Sequence, residues 1–190
     1  MPDPASLEMT AAILLCAGGS SRFTGGESKL LAPFRGRPLV SWALEHVAAA
    51  GLEETLVVVG AVDLAGLLPD GAVVVENPRW ASGQATSLQA GIAAAADRGH
   101  EVVVIGLGDQ PLVPPEAWTA VAGTDSPIAV ATFQGQRTPP TRLARSVWGL
   151  LPTDGDLGAR PLMQARPELV QEVPCPGEAL DIDTIEDLLR

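Results

Sequence analysis

Apolar residues in this chain follow two rhythms. Short continuous runs at Ala11–Cys16, Thr55–Gly60, Ala72–Glu76, Val102–Leu107 and Ile128–Thr132 read as strands buried on both faces. Between them, apolar residues recur at helical spacing over Pro38–Ala50, Gly83–Asp97 and Pro115–Ala122. Further helices are expected at Arg142–Leu150 and Leu157–Gln164, with a late strand at Leu169–Val173. Thr184–Arg190 reads as a short terminal helix, with Asp187 three residues after Thr184 in the manner of a capping box. The Pro-rich piece Gly135–Thr141 reads as a loop beside a site, stiffened by Pro139 and Pro140 into a preset wall.

Strands that alternate with helices predict an α/β fold. The sheet should be mostly parallel, wound right-handed and flanked by helices. Ligands of such sheets bind beyond the carboxyl ends of the strands. No repeat, low-complexity segment or linker interrupts the pattern, so residues 1–190 are expected to form a single domain.

Composition narrows the function. The chain of 190 residues is 46% hydrophobic and only 4% aromatic, so Ala, Leu and Val must fill the core. A net charge of −11 argues against a nucleic-acid surface, although not against one anionic ligand in a local basic pocket. The two cysteines, Cys16 and Cys175, form no disulfide framework and no zinc spacing. Cys16 ends an apolar run and is expected to pack rather than react. No stretch reaches the length of a membrane span, and residues 1–10 do not resemble a signal peptide. A cytoplasmic protein without membrane or nucleic-acid partners is expected.

The chemistry gathers where the apolar runs end. The first strand breaks into Ala17-Gly18-Gly19-Ser20-Ser21-Arg22, and Lys29 follows. A glycine turn lets successive N–H groups surround an anion, and Arg22 and Lys29 add positive charge there. The spacing is neither that of a P-loop nor that of a dinucleotide fingerprint. Val102–Leu107 runs into Gly108-Asp109-Gln110-Pro111, which puts a carboxylate at a strand's carboxyl end. Asp181 and Asp183, one residue apart, point the same way on an extended segment. Oxygen donors of this kind suit magnesium. A phosphate cradle, two cations and paired carboxylates together fit phosphoryl or nucleotidyl transfer, in which charge neutralisation supplies most of the catalysis. No G-x-S-x-G is present, and neither His46 nor His100 sits in a motif.

Five motifs in order resemble the nucleotidyltransferases related to molybdenum cofactor cytidylyltransferase, within the wider Rossmann-like, nucleotide-diphospho-sugar transferase fold. They are Cys16–Arg22 with Lys29-Leu30, Glu76–Gly83 with Ser87-Leu88 and Gly91-Ile92, Gly108–Pro111, Gly155–Arg160, and Asp181–Leu188. The resemblance implies that Ala17, Gly18, Gly19, Ser20, Ser21, Arg22 and Lys29 hold a nucleoside triphosphate, with Asn77, Gly83 and Ser87 near base and ribose. It implies that Lys29, Arg22 and Asp109 act in catalysis, and that Asp109 and Asp183, or Asp181 in its place, ligate Mg2+. Gln110, Arg137, Asp156, Gly158 and Arg160 would face the acceptor. CTP would be the nucleotide, a molybdopterin-type cofactor the acceptor, and a molybdoenzyme a possible downstream partner.

Two departures stand out. Arg22 to Lys29 is longer than the family spacing by about two residues, and Thr138-Pro139 replaces a glycine and a polar residue. Two other readings follow from the same scaffold. One is an NAD(P)H-dependent oxidoreductase resembling a pyridine-dye reductase. The other is a non-catalytic nucleotide- or cofactor-binding partner of a molybdoenzyme.

Overall fold

A computed structural model describes residues 9–18, 28–182, 184 and 186–189. Seven strands form one sheet in the order β5-β4-β1-β6-β8-β7-β9. In chain order these are β1 (Thr10–Cys16), β4 (Glu54–Val59), β5 (Val73–Glu76), β6 (Val102–Leu107), β7 (Ile128–Phe133), β8 (Gln136–Ala144) and β9 (Val170–Pro174). The short pair β2 (Pro33–Phe34) and β3 (Arg37–Pro38) stands apart as an antiparallel ribbon. The helices are α1 (Leu39–Ala49), α2 (Gln84–Asp97), α3 (Pro115–Ala122), α4 (Arg145–Trp148) and α5 (Arg160–Ala165).

Strand β1 pairs in parallel with β4 on one side and β6 on the other, and all seven of its residues are buried. Its side chains divide with the pleat. Ala12, Leu14 and Cys16 join Val40, Leu44 and Trp118 of α1 and α3. Ala11, Ile13 and Leu15 join Leu88 and Ile92 of α2 and Leu162 of α5 on the opposite face. The continuous apolar runs are therefore strands in a sheet with helices on both faces, as expected, except that the edge strand β5 is not buried on both faces, since Val74 and Glu76 are exposed. No helix among the described residues is long and apolar enough to cross a membrane.

Two expectations fail in the same place. Gly135–Thr141 is not a loop, and Arg142–Leu150 is not one helix. Residues Gln136–Ala144 form β8, which lies antiparallel between β6 and β7, and only Arg145–Trp148 is helical. The turn before β8 consists of Gln134 and Gly135, both at positive φ, which is the geometry of a two-residue hairpin. Its two prolines are accommodated by a bulge. Pairing with β7 steps from Val130–Thr141 to Ala131–Thr138, so Pro139 and Pro140, which have no N–H to give, sit outside the ladder. The expected helix Leu157–Gln164 starts only at Arg160, after Gly155 and Gly158 have bent the chain through positive φ. Thr184 and Asp187 do form the reciprocal cap: the Thr184 N–H donates to the Asp187 carboxylate at 3.0 Å, and the Asp187 N–H to the Thr184 hydroxyl at 3.4 Å.

The strands' amino ends are tied by charge. Glu54 accepts from Arg98 through both carboxylate oxygens, and His100 Nε2 lies 3.0 Å away. The Arg98 hydrogen bond, aided by His100, holds the Glu54 carboxyl at about 2, below its ordinary 4.5 and against the opposing effect of burial. A depressed carboxyl stabilises the fold above its unfolded value and loses that contribution as pH falls. Stability to urea is therefore expected to decline between pH 4.5 and about 2. Glu54→Gln should flatten that decline, as read by denaturation midpoints across the acid range.

Candidate nucleotide and acceptor site

The carboxyl ends of β1, β4 and β6 open on one side of the sheet. The chain leaves β1 through Ala17, whose carbonyl accepts the Ala61 N–H at 3.3 Å, and leaves β6 through Gly108, whose N–H donates to the Leu15 carbonyl at 3.0 Å. Asp109 follows at the rim. Its carboxylate Oδ2 lies 2.7 Å from Lys29 Nζ, with 12% of the lysine and 25% of the aspartate side chain exposed. Lys29 stands on a single helical turn, Lys29–Leu31, which buried Leu30 pins to the core beside α1. Residues 19–22 and 183 lie outside the described residues, so the expected Gly19, Ser20, Ser21, Arg22 and Asp183 are not placed. Ala17 and Gly18, which precede them, are at the mouth of β1.

A second group ties Asp109 to distant parts of the chain. The Ile182 N–H donates to the Asp109 carbonyl at 3.2 Å. Buried Gln110 donates through Nε2 to the Thr138 hydroxyl at 2.9 Å and to the Asp181 carboxylate at 2.7 Å. Its Oε1 is buried without a partner. The orientation follows from charge, because the reversed amide would set oxygen against the Asp181 carboxylate. Thr138, Gln110 and Asp181 thus line one cavity of about 300 Å³, together with Arg137, Gly158 and Arg160. Leu15, Leu88, Ile105 and Met163 supply an apolar wall. Arg137 also pairs with Glu172 at 2.6 Å.

Asn77, Ser87, Gly83 and Asp156 hold the start of α2. The buried Asn77 amide donates to the Thr86 and Ser87 hydroxyls, each at 2.9 Å, and its oxygen accepts the Arg79 N–H at 3.0 Å. Gly83 has φ +109, and a Cβ there would lie 2.6 Å from the Gly155 carbonyl. The Gly155 carbonyl accepts the Ala85 N–H at 2.9 Å, and the Asp156 carboxylate accepts the Gln84 N–H at 3.3 Å. The first free donors of α2 are therefore spent on the segment 155–156. Asp156 does not line the cavity and instead caps α2 from 72 residues away. Cys16 is fully buried, and burial pushes its thiol well above the usual range, which agrees with a packing role.

The sequence marked Gln110, Arg137, Gly158 and Arg160, and the fold brings them to one cavity. Thr86 and Met163 escaped it as site-forming residues. Thr138, read as part of a stiff wall beside the site, does line the cavity, but from a strand and not from a loop, and the Gln134-Gly135 dipeptide was the available signal for that hairpin.

Known proteins resemble the chain along nearly its whole length. A family model described as the MobA-like NTP transferase domain matches residues 12–171. The nicotine blue oxidoreductase of Paenarthrobacter nicotinovorans is 33% identical, with 97% of each chain covered. The purine catabolism protein PucB of Bacillus subtilis is 32% identical, with 92% of each covered. Among solved structures, Rv0371c of Mycobacterium tuberculosis superposes with a TM-score of 0.77 at 27% identity over 94% of each chain. That protein has also been solved in complex with manganese.

Asp156→Ala should remove the cap on α2 and cost about 0.5–2 kcal/mol of stability, while Asp156→Asn should retain most of it. Urea midpoints of the two variants beside the parent protein decide whether Asp156 serves the helix.

Proposed function

The chain belongs to the MobA-like NTP transferase family, and from that premise we propose that it transfers CMP from CTP to a molybdopterin-type cofactor with release of pyrophosphate. As a nucleotidyltransferase it takes a nucleoside triphosphate, and the manganese complex of Rv0371c supports divalent-metal dependence. The observation that carries the finer reading is the Lys29–Asp109 pair at the strand ends, set beside a cavity large enough for an acceptor.

In this reading the acceptor phosphate attacks the α-phosphate of CTP in line, and no protein nucleophile is required. Lys29 and Arg22 hold the triphosphate and steady the departing pyrophosphate. Gly18, Gly19, Ser20 and Ser21 bind the same phosphates. Asn77 and Ser87, bonded to each other, fix the floor on which base and ribose rest. Gln110, Arg137, Gly158 and Arg160 receive the acceptor.

The residues present fit a hard divalent cation. Asp109 and Asp181 are both oxygen donors, and the Ile182–Asp109 bond brings their segments together. Among the described residues no three acidic, histidine or cysteine side chains cluster as a closed metal cage. An open site of two carboxylates completed by phosphate oxygens is the usual arrangement for magnesium. Asp109 would be the first ligand and Asp183, or Asp181 in its place, the second. When bound, the ion would neutralise charge on the transferring phosphoryl group.

The relative named nicotine blue oxidoreductase favours a second reading, hydride transfer from NAD(P)H. A lysine–carboxylate pair at the phosphate end gives hydride transfer no assistance, so this reading ranks second. Consumption of NADPH with pyridine dyes and no pyrophosphate release would reverse the ranking. Binding of nucleotide with neither activity would leave a non-catalytic partner of a molybdoenzyme.

Asp109→Asn should keep the fold and lower pyrophosphate release by about a hundredfold or more. Unchanged turnover and magnesium dependence would remove Asp109 from the metal site. CTP should outcompete GTP, because Ala17 stands where guanylyl-transferring relatives of the resemblance usually carry glycine. A side-chain difference of this size near a base is worth about 1–3 kcal/mol. One assay holding both nucleotides, with product identified by mass, measures the preference.

A further inference from the structure

We propose that Trp80 is the stacking surface for the base of the bound nucleotide, its indole set beside the ends of β1 and β4. This rests on the reading of the site as one for a nucleoside triphosphate.

The ring is rooted where two strand ends meet. Ala17 follows β1 and Gly60 follows β4, and the Ala61 N–H donates to the Ala17 carbonyl at 3.3 Å. A Cβ at Gly60 would lie 2.7 Å from the Trp80 Cβ, 2.8 Å from its Cγ and 2.8 Å from the Ala17 carbonyl oxygen. Glycine at this position is therefore what lets Trp80 approach the junction. The backbone of Trp80 is fixed on both sides. Its N–H donates to the Asn77 carbonyl at 3.3 Å, and its carbonyl accepts the Gly83 N–H at 3.2 Å. The order β4-β1-β6 puts the Lys29–Asp109 pair at the next strand end, one strand spacing of about 4.8 Å beyond β1. A nucleotide whose phosphates meet Lys29 has its base within reach of the indole.

The four tryptophans use their rings differently. Trp118 and Trp148 are buried, and Trp148 gives its indole N–H to the Leu143 carbonyl at 3.0 Å. Trp42 gives its own to the Phe34 carbonyl at 3.0 Å and lies under the Arg37 guanidinium, 3.9 Å from the ring centroid. Trp80 packs against the core cluster that holds Ala17 and Leu88, yet it remains partly exposed. Among the described residues nothing accepts its indole N–H and no cation covers its ring. An open indole at the carboxyl edge of a parallel sheet is a surface for a planar ligand group. Every nucleobase has a flat face and stacks on an aromatic ring without being read by hydrogen bonds. Trp80 therefore adds affinity for the base and none for the phosphates.

The full chain in Mg2+ tests this, with CTP and inorganic tripolyphosphate each titrated by calorimetry and folding of the variants checked by urea midpoints. Trp80→Leu should weaken CTP binding about tenfold or more. The same variant should bind tripolyphosphate within about twofold of the parent, because the phosphates lie apart from the ring. Trp80→Phe, which keeps a flat face, should hold CTP within about threefold of the parent. Tryptophan emission gives an independent reading that does not need the leucine variant to fold. CTP should change the emission of the parent, and Trp80→Phe should lose that change although the other three tryptophans remain. An equal loss for CTP and tripolyphosphate in Trp80→Leu would assign Trp80 to support of the strand ends and overturn the contact, with the nucleotide reading intact. Unaltered CTP affinity in Trp80→Leu would overturn it as well, and so would a CTP-dependent emission change that survives in Trp80→Phe. A folded parent that binds neither CTP nor tripolyphosphate would overturn the nucleotide reading, and the contact with it.

Discussion

Everything in this molecule is referred to β1 (Thr10–Cys16). It is hydrogen-bonded on both edges and covered on both faces, so all of its residues are buried and only Leu15 borders the cavity. A strand in that position must be apolar throughout and must release its polar chemistry only where it ends. Ala17 and Gly18 follow its last residue. The neighbouring strand β6 ends at the same level and delivers Asp109. Parallel pairing is thus what sets the end of β1 and the Asp109 carboxylate side by side, although more than eighty residues separate them in the chain.

Around that axis, the polar groups are joined by bonds of long sequence separation rather than by local turns. Gln110 reaches Thr138 and Asp181, Lys29 reaches Asp109, and Asp156 reaches α2. Each such bond closes a long loop, which the apolar core makes affordable by fixing the ends in advance. The buried Gln110 oxygen, left without a partner, shows which side of the amide matters. Desolvating a carbonyl oxygen costs about 1–3 kcal/mol, and the structure retains that cost to keep both Nε2 hydrogens on Thr138 and Asp181.

The sheet's left half and its helices were legible in the sequence because burial on both faces leaves uninterrupted apolar runs. Asp109 was legible for a related reason: a lone carboxylate at the end of such a run has no other setting in this kind of sheet. β8 was not. Thr138-Pro139-Pro140-Thr141 has neither strand composition nor alternation, and its place is dictated by the open slot between β6 and β7. Tertiary pairing outweighed local preference there, with the bulge absorbing the two prolines. The cap on α2 was hidden because its acceptor comes from residue 156, and no local pattern announces a cap supplied across 72 residues. Asn77 was marked in the sequence only as lying near base and ribose, and only the structure reveals the buried hydroxyls it binds.

The antiparallel insertion of β8 bears on how such a protein changes over time. One wall of the cavity is this strand, paired with β7 along most of its length and with β6 from Thr141 onward, and another wall is the segment from Leu157 into α5 (Arg160–Ala165), which joins no strand ladder. An added or deleted residue in β8 would shift every later side chain to the other face and break two ladders at once. The shape of that wall must therefore change by exchanging one side chain for another. Residues 150–159 form bends and turns and carry no such ladder, so changes of length can accumulate on that side. Change in the shape of this cavity within such a lineage should be written as substitutions on one wall and as insertions on the other.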